Sequence, residues 1–263
     1  MIVDTFTFFN DFDLLDLRLE YLYPHVDYFI ICECNLSYAG KPKPMYFKEN
    51  MDRYSKYLDK VRYAPYTLST EIRYDPWFIE MQQRNHIAMC LPDLPLDAVI
   101  MISDCDEIPN IDFFPQIKKS LVEDKKIIVH MNYDLLQYNL QNKYTSSWWH
   151  PSAGKTIDVW RFGVNSYRTF LSDILVNERD FIFNAGWHLS YFLSPEKIIE
   201  KLQNTSHTEY NTEFWTDKQR IEQCIKDRKI LCTEFGDSEL VHVPKEAYPD
   251  HFLKVFGKFY PNY

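Results

Sequence analysis

Three carboxylates fall within four positions of this chain, at Asp104, Asp106 and Glu107. They follow residues 99–102, four apolar side chains in a row that predict a strand buried on both faces. If the backbone stays extended, Asp104 and Asp106 share one face, because side chains two residues apart point the same way. Like charges at that spacing raise each other's pKa, and a divalent cation with oxygen ligands relieves the repulsion. The pattern predicts a metal site that would bind a phosphate, with a plain polar loop as the simpler alternative.

The composition is ordinary for a globular protein and favours a small-molecule partner. The 263 residues are 46% hydrophobic and 25% charged, enough for one α/β domain with a sizeable core. A formal net charge of −9 argues against a nucleic-acid partner, because such binding draws its affinity from Lys and Arg on phosphates. The 19 Tyr, 19 Phe and 6 Trp suit a groove that stacks on sugar rings or bases, or equally an aromatic core.

Apolar runs alternate with helix signals through the first half of the chain. Strands are expected at residues 1–9, 26–32 and 98–103, with helices beginning near Asn10 and at Pro76. This alternation predicts a parallel α/β sheet whose ligands bind beyond the carboxyl ends of its strands. In the second half, strands are expected at residues 126–133, 158–162 and 180–184. The simplest division is one domain over residues 1–263.

Other polar residues follow strands or lie on helices at the same expected edge. Acids and a planar guanidinium suit a nucleotide diphosphate, and the candidates are Asp4, Thr5, Phe6, Glu33 and Arg84. Arg84 could equally pair with Glu80 one helical turn earlier. The chain has six glycines and no GxGxxG or GxxxxGKS loop, which disfavours kinases, P-loop enzymes and nicotinamide dehydrogenases.

A second polar cluster lies at residues 184–191 and 206–211. His188, beside a glycine and Trp187, could complete a metal shell, whereas His207 is expected to be a hydrogen-bonded core residue. The six cysteines include no CxxC pair and predict reduced thiols in a cytoplasmic protein. The sequence shows neither a leader peptide nor an apolar run of about 18 residues, so no signal peptide or membrane span is expected.

Several segments, taken in chain order, resemble glycosyltransferase family 17. They are DTFTFFNDFDLLDLRLEYL, VDYFIICECNLSYAGKPKP, QQRN, SDCDEIP, AGWHLSY and KLQNTSHTEYN. The resemblance implies a GT-A (Rossmann-like) fold with an elaborated C-terminal half, and metal-dependent, inverting transfer from UDP-GlcNAc to a glycan acceptor. The Golgi enzymes of the family carry an anchor and stem that this sequence lacks, which suggests a bacterial or viral relative.

The resemblance also suggests roles for individual residues. Mn²⁺ or Mg²⁺ would be held by Asp104, Asp106 and His188, and the catalytic base would be Glu107 or Glu209. The donor would contact Asp4, Thr5, Phe6, Glu33, Arg84, Asp104 and Trp187, and sugar faces would stack on Trp148, Trp149 and Trp187. Residues 1–110 would form the nucleotide-sugar and metal half, and residues 111–263 the acceptor half.

Two other functions remain open at this point. An acidic cluster at a strand end also serves metal-dependent nucleotidyltransferases and phosphohydrolases, which would need no sugar acceptor. A non-catalytic glycan-binding module on the same fold is the third possibility, although it would have no need of three neighbouring acids.

Overall fold

The computed structural model describes residues 1–169, 177–232 and 238–261. Its strands are β1 (Ile2–Thr7), β2 (Tyr28–Cys34), β3 (Val61–Tyr66), β4 (Val99–Asp104), β5 (Glu107–Pro109), β6 (Ile128–Gln137), β7 (Asn142–Trp148), β8 (Ser152–Lys155), β9 (Arg179–Ser190) and β10 (Leu240–His242). Its α-helices are α1 (Phe12–Leu22), α2 (Tyr46–Glu49), α3 (Pro76–His86), α4 (Phe114–Lys118), α5 (Thr156–Phe162), α6 (Pro195–Leu202), α7 (Lys218–Asp227) and α8 (Asp250–Phe256). Short 3₁₀ segments include Met51–Lys60, Ile87–Cys90 and Thr208–Tyr210.

Strands β3, β2, β1 and β4 lie side by side in that order, and all of them run parallel. This order is typical of one half of a doubly wound α/β fold, and it brings the carboxyl ends of these strands to one edge. Strands β8, β6, β7 and β10 extend the same sheet with antiparallel pairings. Strand β9 pairs with β6 in parallel and with β5 in antiparallel orientation. The expected α/β, Rossmann-like fold with an elaborated C-terminal half is confirmed.

Strand β4 forms where the sequence predicted it because its apolar residues are buried on both faces. Val99 and Met101 pack into the larger hydrophobic core, while Ile100 and Ile102 pack into the core on the other side of the sheet. None of the four is more than 2% exposed. The strand therefore delivers Asp104 to the edge from a position fixed by packing on both sides.

The second half departs from expectation at one element. The strands expected at residues 126–133 and 180–184 lie largely within β6 and within β9, but residues 158–162 belong to α5, so the predicted strand is wrong. A short run of β-branched and aromatic residues fits either structure, and tertiary packing decides between them. Val159 is buried in the second core, while Ile157 and Trp160 are exposed.

Helices α6 and α7 share a smaller hydrophobic cluster that includes Ile198, Leu202 and Ile221. Helix α6 begins as the sequence indicated: the Ser194 hydroxyl accepts from the N–H of Lys197, and proline follows at the first helical position. Because this cluster is anchored by its own apolar contacts, the last turn of α6 has a defined place beside the sheet edge.

Candidate active site

A cavity of about 350 Å³ opens beyond the carboxyl ends of β1, β2 and β4. One wall is formed by residues 7–11, 36–38 and 104–106, which follow or end those strands. The facing wall includes the end of β9, the last turn of α6 and residues 204–207. Ligands of open α/β sheets bind at this kind of edge. The volume lies within the range of small-molecule sites, roughly 300–1,000 Å³.

The turn between β4 and β5 is held from beneath by Arg18 of α1. This fully buried guanidinium pairs with Asp4 at 2.6 Å and donates to the Ser103 hydroxyl at 2.6 Å. It also donates to the main-chain carbonyls of Asp104 and Glu107, at 2.8 and 2.6 Å. Since a guanidinium presents five donors in a rigid fork, Arg18 fixes the path of the acidic turn.

Two further arginines hold the side chains of Asp104 and Glu107. Arg168 donates to Oδ2 of Asp104 at 2.8 Å and to both carboxylate oxygens of Glu107, at 2.6 and 2.9 Å. Arg84 donates to Oδ1 of Asp104 at 3.1 Å and to Glu80 at 2.9 Å. We call Asp104, Glu107, Arg84 and Arg168 the arginine cluster. Its carboxylates have charged partners at fixed, nearly ideal hydrogen-bond distances.

Asp106 has a separate set of partners at the cavity wall. Its Oδ2 lies 2.7 Å from Nζ of Lys201 and 3.6 Å from Nε2 of His188. The β5–β9 ladder positions the imidazole, because His188 stands opposite Glu107 and the N–H of Leu189 donates to the carbonyl of Asp106 at 2.8 Å. We call Asp106, His188 and Lys201 the lysine cluster.

The surrounding cations favour the charged form of both aspartates of the turn. Burial acts to raise the pKa of Asp104, but Arg168 and Arg84 lower this pKa to about 2. Burial also acts to raise the pKa of Asp106, yet Lys201 and His188 hold that pKa well below its usual range. The cavity therefore contains charged carboxylates that are balanced by cations from distant parts of the chain.

Asp106 and His188 are the side chains best placed to hold the expected divalent cation. In the part of the chain that the structure describes, no group of three or more His, Cys, Asp or Glu side chains forms a metal site. The pair fits a hard cation that takes one or two protein ligands and completes its shell with phosphate oxygens and water. Asp104 is less suited as a direct ligand, because both of its oxygens accept from arginines.

Comparison with known families adds to this geometry. A model of glycosyltransferase family 17 matches residues 1–241. The chain belongs to glycosyltransferase family 17. The match spans the parallel strands, the acidic turn, β9 and α6, so it covers all the elements that surround the cavity. The resemblance seen in the sequence is thereby confirmed, and with it the expectation of a transferase family.

The curated relatives of this family 17 chain share one name. This chain is 25% identical over 289 residues to the β-1,4-mannosyl-glycoprotein 4-β-N-acetylglucosaminyltransferase of Rattus norvegicus. The alignment covers 95% of this chain and 52% of that protein. The Homo sapiens protein of the same name is 25% identical over 290 residues, with the same coverage. The chain thus spans about half the length of the curated relatives it matches.

Solved structures with low sequence identity also resemble the chain. Residues 1–349 of S. aureus TarS are 10% identical with a TM-score of 0.42, covering 77% of this chain and 63% of that one. A glucosyl-3-phosphoglycerate synthase from Mycobacterium tuberculosis, solved with Mn²⁺, UDP and phosphoglyceric acid, is 11% identical with a TM-score of 0.44. That similarity covers 93% of this chain and 87% of the synthase. Similarity at this level carries no inference about activity.

The relatives correct one expectation from the sequence. A cytoplasmic protein of bacterial or viral type was expected, and this is wrong, since the relatives that the family 17 chain matches are proteins of rat, human and mouse. Within the described ranges, none of the helices has the length and apolar character needed to cross a bilayer.

Three residues expected to contact the donor lie in β1 rather than at the cavity. Asp4 pairs with Arg18, Thr5 donates to the carbonyl of Met101 at 2.8 Å, and the Phe6 ring lies 4.5 Å from the Arg18 guanidinium. All three are buried, and the cavity begins instead at residues 7–11. The physical reason is that β1 continues to residue 7, so the site opens only after the strand ends.

Two more expected donor contacts do not line the cavity. Glu33 is fully buried at the end of β2, where it accepts from the N–H of Phe47 at 2.8 Å. Trp187 stacks on Phe252 with ring centroids 3.8 Å apart. Neighbouring residues of an extended strand point to opposite faces, so the position of His188 at the cavity directs Trp187 into the core.

The aromatic residues of the cavity differ from those expected. Trp148 lines it, with its ring 4.5 Å from that of His188 and its Nε1 donating to Glu107 at 2.5 Å. Trp149 instead packs against two phenylalanines outside the cavity. Sequence reasoning missed Trp77, which is 50% exposed, lines the cavity and packs edge-on against His207.

The two candidate bases have opposite surroundings. Glu107 is completely buried in the arginine cluster and does not line the cavity. Glu209 does not line the cavity either, but its carboxylate is exposed, and its Oε1 lies 2.7 Å from Nδ1 of His207, which lines the cavity. The hydrogen bond with His207 lowers the pKa of Glu209. Arg84 lines the cavity as expected, and it pairs with Glu80 as in the alternative interpretation.

Sequence reasoning also missed Arg18, Arg168 and Lys201, although Arg18 and Lys201 lie within segments that resemble the family. One available signal was Gly186. A Cβ at this position would lie 2.4 Å from the carbonyl oxygen of Ile108, so only glycine permits β9 to approach β5 this closely. The glycine of the AGWH segment could therefore have indicated that His188 packs beside the acidic turn.

Proposed function

We propose that this chain is an inverting, metal-dependent glycosyltransferase that moves N-acetylglucosamine from UDP-GlcNAc to a hydroxyl of a glycan acceptor. The observation that carries the proposal is the lysine cluster, in which Asp106 faces His188 at the carboxyl edge of a parallel sheet in a family 17 chain. The name of the curated relatives supports N-acetylglucosamine as the transferred sugar and a mannosyl-glycoprotein as one acceptor class.

In this proposal the donor diphosphate lies between the two aspartates of the turn and the facing wall. Asp106 and His188 would hold Mn²⁺ or Mg²⁺, which when bound would neutralise the charge that grows on the departing nucleoside diphosphate. Arg84 and Arg168 line the same cavity and offer planar donors to phosphate oxygens. Both parts of the expected division would then contribute to the donor site, since Arg84 and Asp106 lie in residues 1–110 whereas Arg168 and His188 lie in residues 111–263.

Inversion requires that an acceptor hydroxyl attack from the face opposite the leaving diphosphate and lose its proton to a base. Such a base contributes about 10²- to 10⁴-fold in rate. The geometry supports Glu209 over Glu107, because Glu209 is exposed next to the cavity-lining His207, whereas both oxygens of Glu107 accept from Arg168. Trp77, against His207 at the cavity, offers an exposed aromatic face for an acceptor sugar.

Calorimetric titration with a panel of nucleotide sugars, each with Mn²⁺ and again with a chelator, tests this proposal. We expect UDP-GlcNAc to bind only with the metal, and Asp106→Asn to lose that binding. The matched control is Asp134→Asn, which removes a carboxylate paired with Lys143 outside the cavity and should bind as the wild type does.

Three outcomes would contradict the proposal. Binding to none of the nucleotide sugars by folded protein would remove the donor site. Turnover of UDP-GlcNAc that yields only free sugar or sugar phosphate, whichever glycan acceptor is supplied, would indicate a phosphohydrolase. Glycan binding that persists unchanged in chelator without donor turnover would indicate a glycan-binding module.

A further inference from the structure

Lys201 stands in the last turn of α6 and reaches across the cavity to the acidic turn. Its Nζ lies 2.7 Å from Oδ2 of Asp106, the same oxygen that faces Nε2 of His188 at 3.6 Å. The Asp106 side chain is 9% exposed, whereas that of Lys201 is 33% exposed. The ammonium group therefore lies on the more exposed side of Asp106. A divalent cation bound to Asp106 would take the same position.

The partners of Lys201 differ in kind from those of the arginines nearby. Arg168 donates to two carboxylates through a planar fork, whereas Asp106 is the one hydrogen-bond acceptor of Lys201 among the described residues. A lysine is a point charge on a flexible four-carbon stem, so it can change its acceptor without moving the backbone. Helix α6 itself is anchored through Ile198 and Leu202, both buried.

We propose that Lys201 exchanges partners when the donor binds: it neutralises Asp106 beforehand and donates to a phosphate oxygen of the nucleoside diphosphate afterwards. This inference rests on the proposed function. Asp106 would then be neutralised by the divalent cation, and the released ammonium would supply a second positive charge to the leaving diphosphate. Lys201 is thus a donor-binding residue that also competes with the metal for Asp106.

Because of this dual role, removing the ammonium has opposite effects on two ligands. Lys201→Met should bind Mn²⁺ alone about 3- to 10-fold more tightly, since no internal cation has to be displaced from Asp106. The same variant should bind UDP, at saturating Mn²⁺, about 10- to 100-fold more weakly, since a charged hydrogen bond to phosphate is lost. Electron paramagnetic resonance of free Mn²⁺ measures the first affinity, and calorimetry measures the second.

Lys143→Met is the matched control, because Lys143 pairs with Asp134 at 2.5 Å and its side chain is 34% exposed. It should leave both affinities unchanged. Lys201→Gln serves as a second variant, since it keeps a donor for Asp106 without the charge and should show the same opposite shifts. Circular dichroism confirms that each variant is folded before it is titrated.

Each alternative result has a definite meaning. If wild type binds UDP and Lys201→Met and Lys201→Gln bind it equally well, the partner exchange is overturned while the proposed function stands. A parallel loss of Mn²⁺ and UDP affinity also overturns it, because a purely structural lysine would give that result. If wild type binds neither UDP nor UDP-GlcNAc with Mn²⁺, the proposed function itself fails.

Discussion

Asp104 of the arginine cluster and Asp106 of the lysine cluster are two residues apart in the chain, yet they have different kinds of partner. Asp104 accepts from two arginines, one of which also holds the fully buried Glu107. Asp106 is paired with one partly exposed lysine and faces one imidazole at the cavity wall. The difference suggests a division of labour, in which the arginine cluster holds the side chains of Asp104 and Glu107 in place and the lysine cluster can change partners when ligands bind.

The chemistry of the two cations explains the division. A guanidinium with several acceptors loses several hydrogen bonds if it moves, so it is suited to a permanent structural role. An ammonium that has a single acceptor loses only one hydrogen bond if it moves. Because it is also accessible from solvent, a metal ion can replace it.

Replacing Asp106 should abolish function and leave the fold intact. We expect Asp106→Asn to lower transfer by about 10³-fold or more, because the metal loses its carboxylate ligand. The free energy of unfolding should fall by about 1–3 kcal/mol, since Asp106 is buried but the Lys201 side chain is 33% exposed and can regain contact with water. Product assays and urea unfolding measure the two effects. Near-normal transfer would show that the lysine cluster does not meet the metal.

Replacing Arg168 should weaken the fold more than replacing Asp106 does. Arg168→Met leaves Glu107 buried without its charged partner, and it removes one of the two arginine partners of Asp104. We expect this to lower the free energy of unfolding by about 3–5 kcal/mol. Urea unfolding measures this loss, with Lys143→Met as the control. A loss no larger than that of the control would mean that the arginine cluster does not hold the turn.

The two candidate bases sharpen the same comparison. Glu209→Gln should lower kcat about 10²-fold with little effect on the melting temperature, because its carboxylate is exposed. Glu107→Gln should instead lower the melting temperature, because it removes a charged partner of Arg168. If Glu107→Gln lost kcat without loss of stability while Glu209→Gln kept its activity, the assignment of the base would be reversed.

Sequence patterns were enough to predict the acidic edge of the sheet. They were not enough to predict most of the cations that pair with its carboxylates. The apolar run at residues 99–102 and the acids after it were enough to predict a strand that ends in a site, because both signals are local. The arginine and lysine partners stand far away in the chain, with Arg168 64 residues from Asp104 and Lys201 95 residues from Asp106. No periodicity or spacing rule connects positions so far apart.

The same cause explains why several expected donor contacts do not line the cavity. Asp4 and Glu33 are polar residues near strand ends, which is the pattern of a ligand contact, yet Arg18 and the N–H of Phe47 satisfy them in the interior. Sequence cannot distinguish a carboxylate that meets a ligand from one that meets a buried donor. Trp187 was misassigned because the face of a strand residue depends on which neighbour reaches the cavity, and here that neighbour is His188.

The α/β class, the parallel strands, the family and the edge where Asp104 and Asp106 emerge could all be predicted from the sequence. These follow from local hydrophobic pattern and from residue identities in order. The tertiary structure was needed to show which cations each aspartate receives and how far each carboxylate is exposed at the cavity. Those choices depend on how β9 and α6 pack against the acidic turn, since electrostatic partners are selected by distance in space and a side chain's direction is fixed by its packed neighbours.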